Sequence, residues 1–559
     1  MSFVSPARAC GAAPLAGDST PLGWWTPNGE PLRSESAFVW DSVRNLNAAL
    51  YFLRTVPGER WAVGCGGAAV FGSAPQSHDA REILGFAPAC RPSALGDPTF
   101  RSDHRLRFAY MTGAMANGIA SESLVESIGR AGMLGCFGAA GLPVRRVEQA
   151  IDRISNSLGD LPFGFNLIHT PNEPRIEEDV VGLYLRRGIR LVEASAYLDL
   201  TLPLLRYRLH GIHHDADGRT VTPNRVIAKL SRVEVAAKFF SPAPERLLEA
   251  LVTRGDLTRE QAEMARHVPV AQDVTAEADS GGHTDNRPAL CLLPTILALR
   301  DRMQQQHGYA GRLRVGAAGG IATPASAAAA FAMGAAYVVT GSVNQACVES
   351  GTSDLVRQML AEAGQADTAM APAADMFEMG VKLQVLKRGT MFAMRAQKLY
   401  DVFRAYETLD QVPAAERVGI EKTLFRASFE EIWQQTQSFF RERDPSQIEK
   451  GERDPKHKMA LVFRWYLGLS SHWANAGDAA RKIDYQIWCG PAMGAFNEWA
   501  KGSPFERPEN RKAADVARQI LYGAAVALRV AALRAQGLPL PEDQVSLGPV
   551  EPELLADFV

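Results

Sequence analysis

The rhythm of apolar positions changes twice along the chain. Residues 1 to about 105 are irregular and broken by proline and glycine, with one helix-period segment, "ESAFVWDSVRNLNAALYFLRTV", followed by a strand-like "RWAV". From about 106 to 350, short apolar runs alternate with amphipathic stretches, as in repeated β-α units around a parallel sheet. The runs are "LRFAYM" (106–111), "GMLGCF" (132–137), "PFGFNLI" (162–168), "RLVEASA" (190–196), "RVIAKL" (225–230), "VPVAQDVTAEA" (268–278), "LRVGAAGG" (313–320) and "AAYVVTG" (335–341), eight in all. Between most of them lie helix formers such as "VRRVEQAIDRISNSLG" and "APERLLEALVTRG", several ending in the glycine that a helix C-terminus favours. Eight such units close naturally into a barrel, whereas a doubly wound sheet usually stops nearer six strands. An open sheet is the competing architecture, because "GCF" could equally be a turn.

After 350 the strand-like runs vanish and long helical patterns dominate, among them "DMFEMGVKLQVLKRGTMFAMRAQKLYDVFRAYETL" and "RKAADVARQILYGAAVALRVAALRAQ". The charge-rich "RERDPSQIEKGERDPKHK" (441–458) reads as a loop. The pattern predicts an α/β fold: a (β/α)8 TIM barrel over 106–350, an N-terminal extension or small domain over 1–105, and an additional C-terminal all-helical region over 351–559.

A length of 559 residues suits one large domain with additions. With 60 basic and 62 acidic side chains there is no global nucleic-acid footprint, so a small-molecule or protein-borne substrate is expected. Seven cysteines without a C-x-x-C pair argue against a disulfide framework and a structural zinc site, and no metal is expected. The first residues, "MSFVSPARACGAAPLAGDSTP", lack an apolar core behind basic residues, and no run approaches the ~20 uninterrupted apolar residues of a spanning helix. The expected setting is cytoplasmic, with no membrane. "GCGGAA" (64–69) matches a relaxed dinucleotide-binding pattern, but Pro75 interrupts the helix that should follow and no acidic residue ends a second strand about 20 residues on.

Chemistry in a β/α barrel sits at the C-terminal ends of the strands, and here those ends are rich in glycine. The seventh run ends in Gly319-Gly320 and the eighth in Gly341-Ser342, the two positions where this architecture recurrently binds phosphate. Tight strand-to-helix turns would use the same glycines. The third run carries Asn166, whose amide could read a heterocycle or cap a loop, and the first leads into Gly113-Ala114-Met115, which could pass beneath a planar ligand. Lys229 ends the fifth, either near an anionic or electron-rich ligand or snorkelling outward. The sixth leads into Gly281-Gly282-His283, bare backbone beside a side chain able to exchange a proton near neutral pH. Lys382 to Arg404 holds six basic residues against Asp401, which would suit cofactor phosphates, an acidic partner or simply a solvated helix face.

In chain order, "GAMANG", "PFGFNL", "EADSGGHTD", "AAGGIATP" and "VVTGSVNQA" resemble the motifs of the FMN-dependent nitronate monooxygenase and enoyl reductase barrel family. "LGWWTPN", "MGVKLQVLKRGTMFAMRAQKLYDVFRAY" and "QIWCGPAMGAFNEW" further resemble the PfaD-type trans-acting enoyl reductases of polyketide and polyunsaturated fatty acid synthases. The resemblance implies FMN across the barrel mouth. Gly113, Ala114 and Met115 would face its ring, Asn166 and Lys229 would hydrogen-bond it, and Gly319, Gly320, Gly341 and Ser342 would hold its phosphate. Gly281 and Gly282 would line the pocket, with His283 as the catalytic candidate. Many nitronate monooxygenases follow their Gly-Gly-His with a basic residue, where this chain has Thr284-Asp285, a departure that weakens the oxygenase alternative. The implied reaction passes hydride from NADPH through FMN to an enoyl thioester carried on the phosphopantetheine arm of an acyl carrier protein. That carrier would dock on the helical region with its basic segment. A homodimer is left open.

Overall fold

The computed structural model describes residues 21–551 apart from 28, 30–31, 56–60, 73–77, 172, 539 and 541–546, together with residue 555. The N-terminal leader reading, Cys10 and Pro75 therefore lie outside the described residues. The chain forms two compact units, one of Met1–Leu95, Pro324–Ala332 and Arg518–Val559 and one of Gly96–Thr323 and Met333–Ala517.

The first unit is built on an antiparallel sheet of β1 (Gly23–Thr26), β2 (Leu50–Arg54), β3 (Trp61–Cys65), β4 (Ala68–Phe71) and β5 (Arg81–Ala87), in the order β3-β2-β5-β1-β4. One expectation changes here. The helix-period segment is a helix only over Ser36–Arg44, and its second half is β2. Leu50, Tyr51, Phe52 and Leu53 are all buried, so no period-2 alternation marked the strand. Gly64-Cys65 end β3 and Gly66-Gly67 turn the chain into β4 of the same antiparallel sheet, which excludes a dinucleotide fold at that place. Arg529 closes the unit by donating to the carbonyls of Asn45 and Ala48, 2.6 and 2.7 Å away. The helix that carries it, Ala513–Ala535, is the one helix among the described residues long and apolar enough to cross a membrane. With 72% of its apolar window buried inside the protein, it packs as a core helix.

The second unit holds a closed parallel barrel. Its strands are β6 (Tyr110–Thr112), β7 (Leu134–Phe137), β8 (Phe163–Ile168), β9 (Leu191–Ser195), β12 (Arg225–Leu230), β13 (Asp273–Glu277), β15 (Arg314–Ala318) and β16 (Val338–Thr340). All eight sequence runs are present, including the weak second one, and β16 pairs with β6 to close the ring. A short hairpin of β10 (His213–His214) and β11 (Thr220–Val221) decorates it. The N-terminal end of the barrel is plugged by a buried ionic cluster. Arg314 at the start of β15 reaches Asp273 at the start of β13 at 2.6 Å, His104 meets the same carboxylate at 2.9 Å, and Arg314 also reaches Asp103 at 2.6 Å. Chemistry is left to the opposite end.

Beyond the barrel the chain is helical, with one addition that the sequence pattern concealed. β17 (Thr368–Pro372) and β18 (Lys382–Leu386) form a hairpin, and β14 (Gly282–His283) joins it in the order β14-β18-β17. The long helical run from Asp375 thus contains a strand, and its helix begins only at Phe392. The stretch 441–458 is helical rather than a loop: Phe429–Arg443, Pro445–Arg453 and Pro455–Ala476 follow one another. Each break is an Asp-Pro pair. Asp444 and Asp454 cap the next helix through their carboxylates, and the proline after each takes the first helical position, where no N–H is needed. The hairpin and these helices share one core, in which Leu383 and Val385 pack with Phe392, Phe425, Phe463 and Tyr466.

Candidate active site

The floor of the barrel mouth is a charge cluster, fully buried at Glu193 and mostly buried at Lys229 and Glu277. Glu193, on β9, is fully buried. Its Oε2 accepts from the Ala114 N–H at 2.7 Å, and its Oε1 has no hydrogen-bond partner among the described residues. Burial raises the Glu193 pKa, against the pull of Lys229 and the Ala114 amide. Lys229, at the end of β12, lies 3.4 Å from Glu277 at the end of β13. Burial opposes its charge, but Glu277 and Glu193 together outweigh burial and hold the ammonium protonated well above its ordinary range. Asn166, on β8, donates to the Glu193 carbonyl at 3.1 Å and to Ser195 Oγ at 2.9 Å. Gly113 follows β6 and hydrogen-bonds Thr340, and a Cβ there would lie 3.1 Å from Val339 and 3.6 Å from Glu193 Oε1.

The glycines of the rim divide into two kinds. At Gly319 a Cβ would lie 2.5 Å from the Ala278 backbone, and at Gly281 it would lie 2.9 Å from the Cys489 amide nitrogen. Protein backbone presses on these two where a side chain would stand, a reason for glycine that is independent of any ligand. At Gly282, Gly320 and Gly341 a Cβ would meet nothing within 4 Å. Gly320 and Gly341, at the ends of β15 and β16, thus leave open space where an anion is expected, and this fits an FMN phosphate. Ser342 Oγ accepts from the Gly490 N–H at 3.1 Å, which leaves its own proton to donate.

His283 is held by the small sheet. Gly282 pairs with Gln384 and His283 with Leu383, and the side chain of Gln384 locks the preceding loop by donating to Asp279 at 2.7 Å. Residues 487–489 continue the same edge of β18: Trp488 bridges Val385, and the Leu386 N–H donates to the Ile487 carbonyl. Asp375, in the turn between β17 and β18, reaches His283 Nε2 at 3.0 Å. Both side chains remain about one-third exposed, at 32% and 37%. Burial disfavours the imidazolium, but the Asp375 charge and hydrogen bond outweigh it, and the His283 pKa lies above its ordinary value.

The helix Pro455–Ala476 ties the helical region to the barrel loops. Ser471 accepts from Asn117 at 2.8 Å, and Arg464 lies 3.7 Å from Glu173 and 3.5 Å from Glu378. Arg443, in the preceding helix Phe429–Arg443, donates to Glu173 at 2.6 Å.

Sequence reasoning missed Glu193, Glu277 and Asp375, and gave the 487–490 segment, part of the "QIWCGPAMGAFNEW" motif, no place at the site. Glu193 had a readable signal, a lone carboxylate in the middle of an apolar strand run. Asp375 had none, since its partner is remote in sequence and the β-hairpin that carries it was hidden.

Residues 108–400 match the nitronate monooxygenase family, which sets the class as that of nitronate monooxygenase-like barrels. Residues 406–485 match the inserted helical domain of [acyl-carrier-protein] S-malonyltransferase. The enoyl reductase domain of MlnA, from the macrolactin cluster of Bacillus amyloliquefaciens, superposes with a TM-score of 0.75 at 41% identity, covering 79% of this chain and 99% of that one. A polyunsaturated fatty acid synthase polypeptide of Thraustochytrium sp. is 50% identical over 452 residues, 80% of this chain and 30% of that protein. The polyketide biosynthesis protein PksE of Bacillus subtilis is 45% identical over 436 residues, 78% of this chain and 56% of that protein. The chain therefore spans 30% of the first of these two relatives and 56% of the second. Within its class it belongs to the PfaD-type enoyl reductases of polyketide and polyunsaturated fatty acid synthases, a family of oxidoreductases.

Proposed function

We propose that the chain is a trans-acting enoyl reductase that holds FMN across the barrel mouth, draws on NADPH, and saturates the α,β-double bond of enoyl thioesters on an acyl carrier protein. The observation that carries this reading is the likeness to the MlnA enoyl reductase domain, which runs through 99% of that domain. When bound, FMN would supply the hydride relay from the nicotinamide to the β-carbon.

The residues divide the remaining work. Gly320, Gly341 and the Ser342 hydroxyl hold the phosphate, and Gly113, Ala114 and Met115 support the ring. Lys229, kept charged by its two carboxylates, offers a cation to an electron-rich ring. Asn166, its amide N–H groups already engaged, offers its carbonyl oxygen as acceptor. His283 supplies a proton at the α-carbon. The exposed Lys382, Lys387, Lys398 and Arg404 form the docking surface for an acidic carrier. A cytoplasmic setting goes with this reading.

The match over 108–400 favours one other activity, nitronate oxidation with O2. Parallel turnover assays on a nitronate and on an enoyl thioester, with the FMN-loaded chain, separate the two. Reduction of the thioester with negligible nitronate oxidation is expected, and the reverse result would replace the reading.

A further inference from the structure

We propose that Asp375 is the positioning residue for His283, holding its Nε2 and keeping the ring charged so that Nδ1 delivers the proton that completes enoyl reduction. This inference rests on the enoyl reductase reading and adds the residue that prepares the acid.

The geometry supporting it is built by three separate elements. β14 presents His283 opposite Leu383 of β18, and β18 pairs in turn with β17, Leu383 with Ala371 and Lys382 with Pro372. That register fixes the turn 373–381 beside the imidazole and sets Asp375 Oδ1 at 3.0 Å from Nε2. The loop on the other side of His283 is equally constrained, since Gly281 packs on the Cys489 backbone and Asp279 is bound by Gln384 and Asn286. A hydrogen bond from Nε2 to the carboxylate leaves Nδ1 as the nitrogen without a protein partner among the described residues.

The charges facing the ring are Asp375, Glu277 and Lys229, and Arg464 acts on Asp375 itself. Asp375 and Glu277 favour the imidazolium, and Lys229 opposes it. Burial would raise the Asp375 pKa, but His283, with Arg464, keeps it lowered, so each partner of the dyad favours the charged form of the other. Hydride arriving at the β-carbon leaves an electron pair at the α-carbon. The new C–H bond there forms from that pair as the Nδ1–H bond of His283 breaks, and water returns a proton to the neutral ring. NADPH is oxidised to NADP+, and the double bond is reduced.

The test is the pH dependence of the FMN-loaded full chain with NADPH and crotonyl-pantetheine, read together with the His283 ring titration by NMR of 13C-histidine-labelled protein. His283→Gln assigns the resonance. A raised folded pKa means that the acid is charged below it and lost as pH rises through it, so the wild type should lose rate on the alkaline side. Asp375→Asn should move both the NMR titration and the alkaline limb to lower pH by about 1–3 units, as expected for loss of an adjacent opposite charge, and Asp375→Glu should restore most of the shift. Coincident titrations and limbs in wild type and Asp375→Asn overturn the proposal, as does an NMR shift without a moved limb. If wild type reduces no thioester at any pH, the enoyl reductase reading fails and the proton-delivery role fails with it. The NMR titration then decides separately whether Asp375 keeps His283 charged.

Discussion

Gly281 lies against the backbone of Cys489 so closely that a methyl on its Cα would sit 2.9 Å from the Cys489 amide nitrogen and 3.0 Å from its Cα. The relationship is reciprocal, since a Cβ on Gly490 would meet the Gly281 nitrogen at 2.8 Å. The stretch "SGGH" is bare at its first glycine because a segment about 200 residues later closes onto it.

Gly281→Ala should therefore act on stability, by about 1–3 kcal/mol of overpacking, and loosen the 487–490 segment. Gly320→Ala should instead act on the cofactor: its φ of +76° makes an L side chain strained by about 1 kcal/mol, and the methyl would enter the open space proposed for the phosphate. Urea denaturation and flavin fluorescence titration of the two variants should give opposite profiles, stability lost with flavin affinity largely kept in the first, and the converse in the second.

Removing the Lys229 charge leaves Glu193 and Glu277 facing each other in a buried place. Lys229→Met should lower stability by about 3–5 kcal/mol, as for a buried pair broken on one side. Flavin affinity should fall as well, measured by equilibrium dialysis of FMN. Glu193→Gln should be far milder, because Oε1 of the amide can still accept from Ala114.

At the other end of the barrel, Asp273 has its pKa lowered: burial raises it, and Arg314 and His104 more than reverse that. A depressed folded pKa means that the stabilisation is present above the unfolded value of about 3.9 and is lost as pH falls below it. Asp273→Asn should destabilise the chain by about 3–5 kcal/mol at pH 7 and flatten the acid limb of its stability profile, read by urea midpoints between pH 3 and 7.

Charge reversal at the exposed Lys398 should raise KM for a carrier-bound enoyl substrate by about three- to fivefold, the size expected when an exposed ion pair becomes a repulsion. Turnover of a small pantetheine thioester should be unchanged, and the difference should shrink at high salt.

The barrel was legible in the sequence because buried parallel strands are short apolar runs separated by amphipathic helices, and even "GMLGCF" kept its place as β7. β18 was not legible: "VKLQVLKRG" lies among helix formers, and its strand character depends on a hairpin with β17 and on pairing with β14, about 100 residues earlier. β2 was missed for a related reason, both of its faces being buried. The Asp-Pro pairs at 444 and 454 did carry a helix-start signal, outweighed by the surrounding charge. At the site, Gly320 and Gly341 face open space where a side chain would stand, whereas Gly281 and Gly319 meet protein backbone there, so glycine is needed at the rim for more than one reason. Local pattern marks where close approach happens and leaves open what approaches.

The central claim, a flavin-dependent enoyl reductase, is tested most directly by the anaerobic absorption spectrum of the purified chain reconstituted with FMN. NADPH should bleach the flavin band, and an enoyl thioester added next, still without O2, should restore it. A chain that takes up no FMN, or one whose reduced flavin is indifferent to the enoyl thioester, would contradict the account.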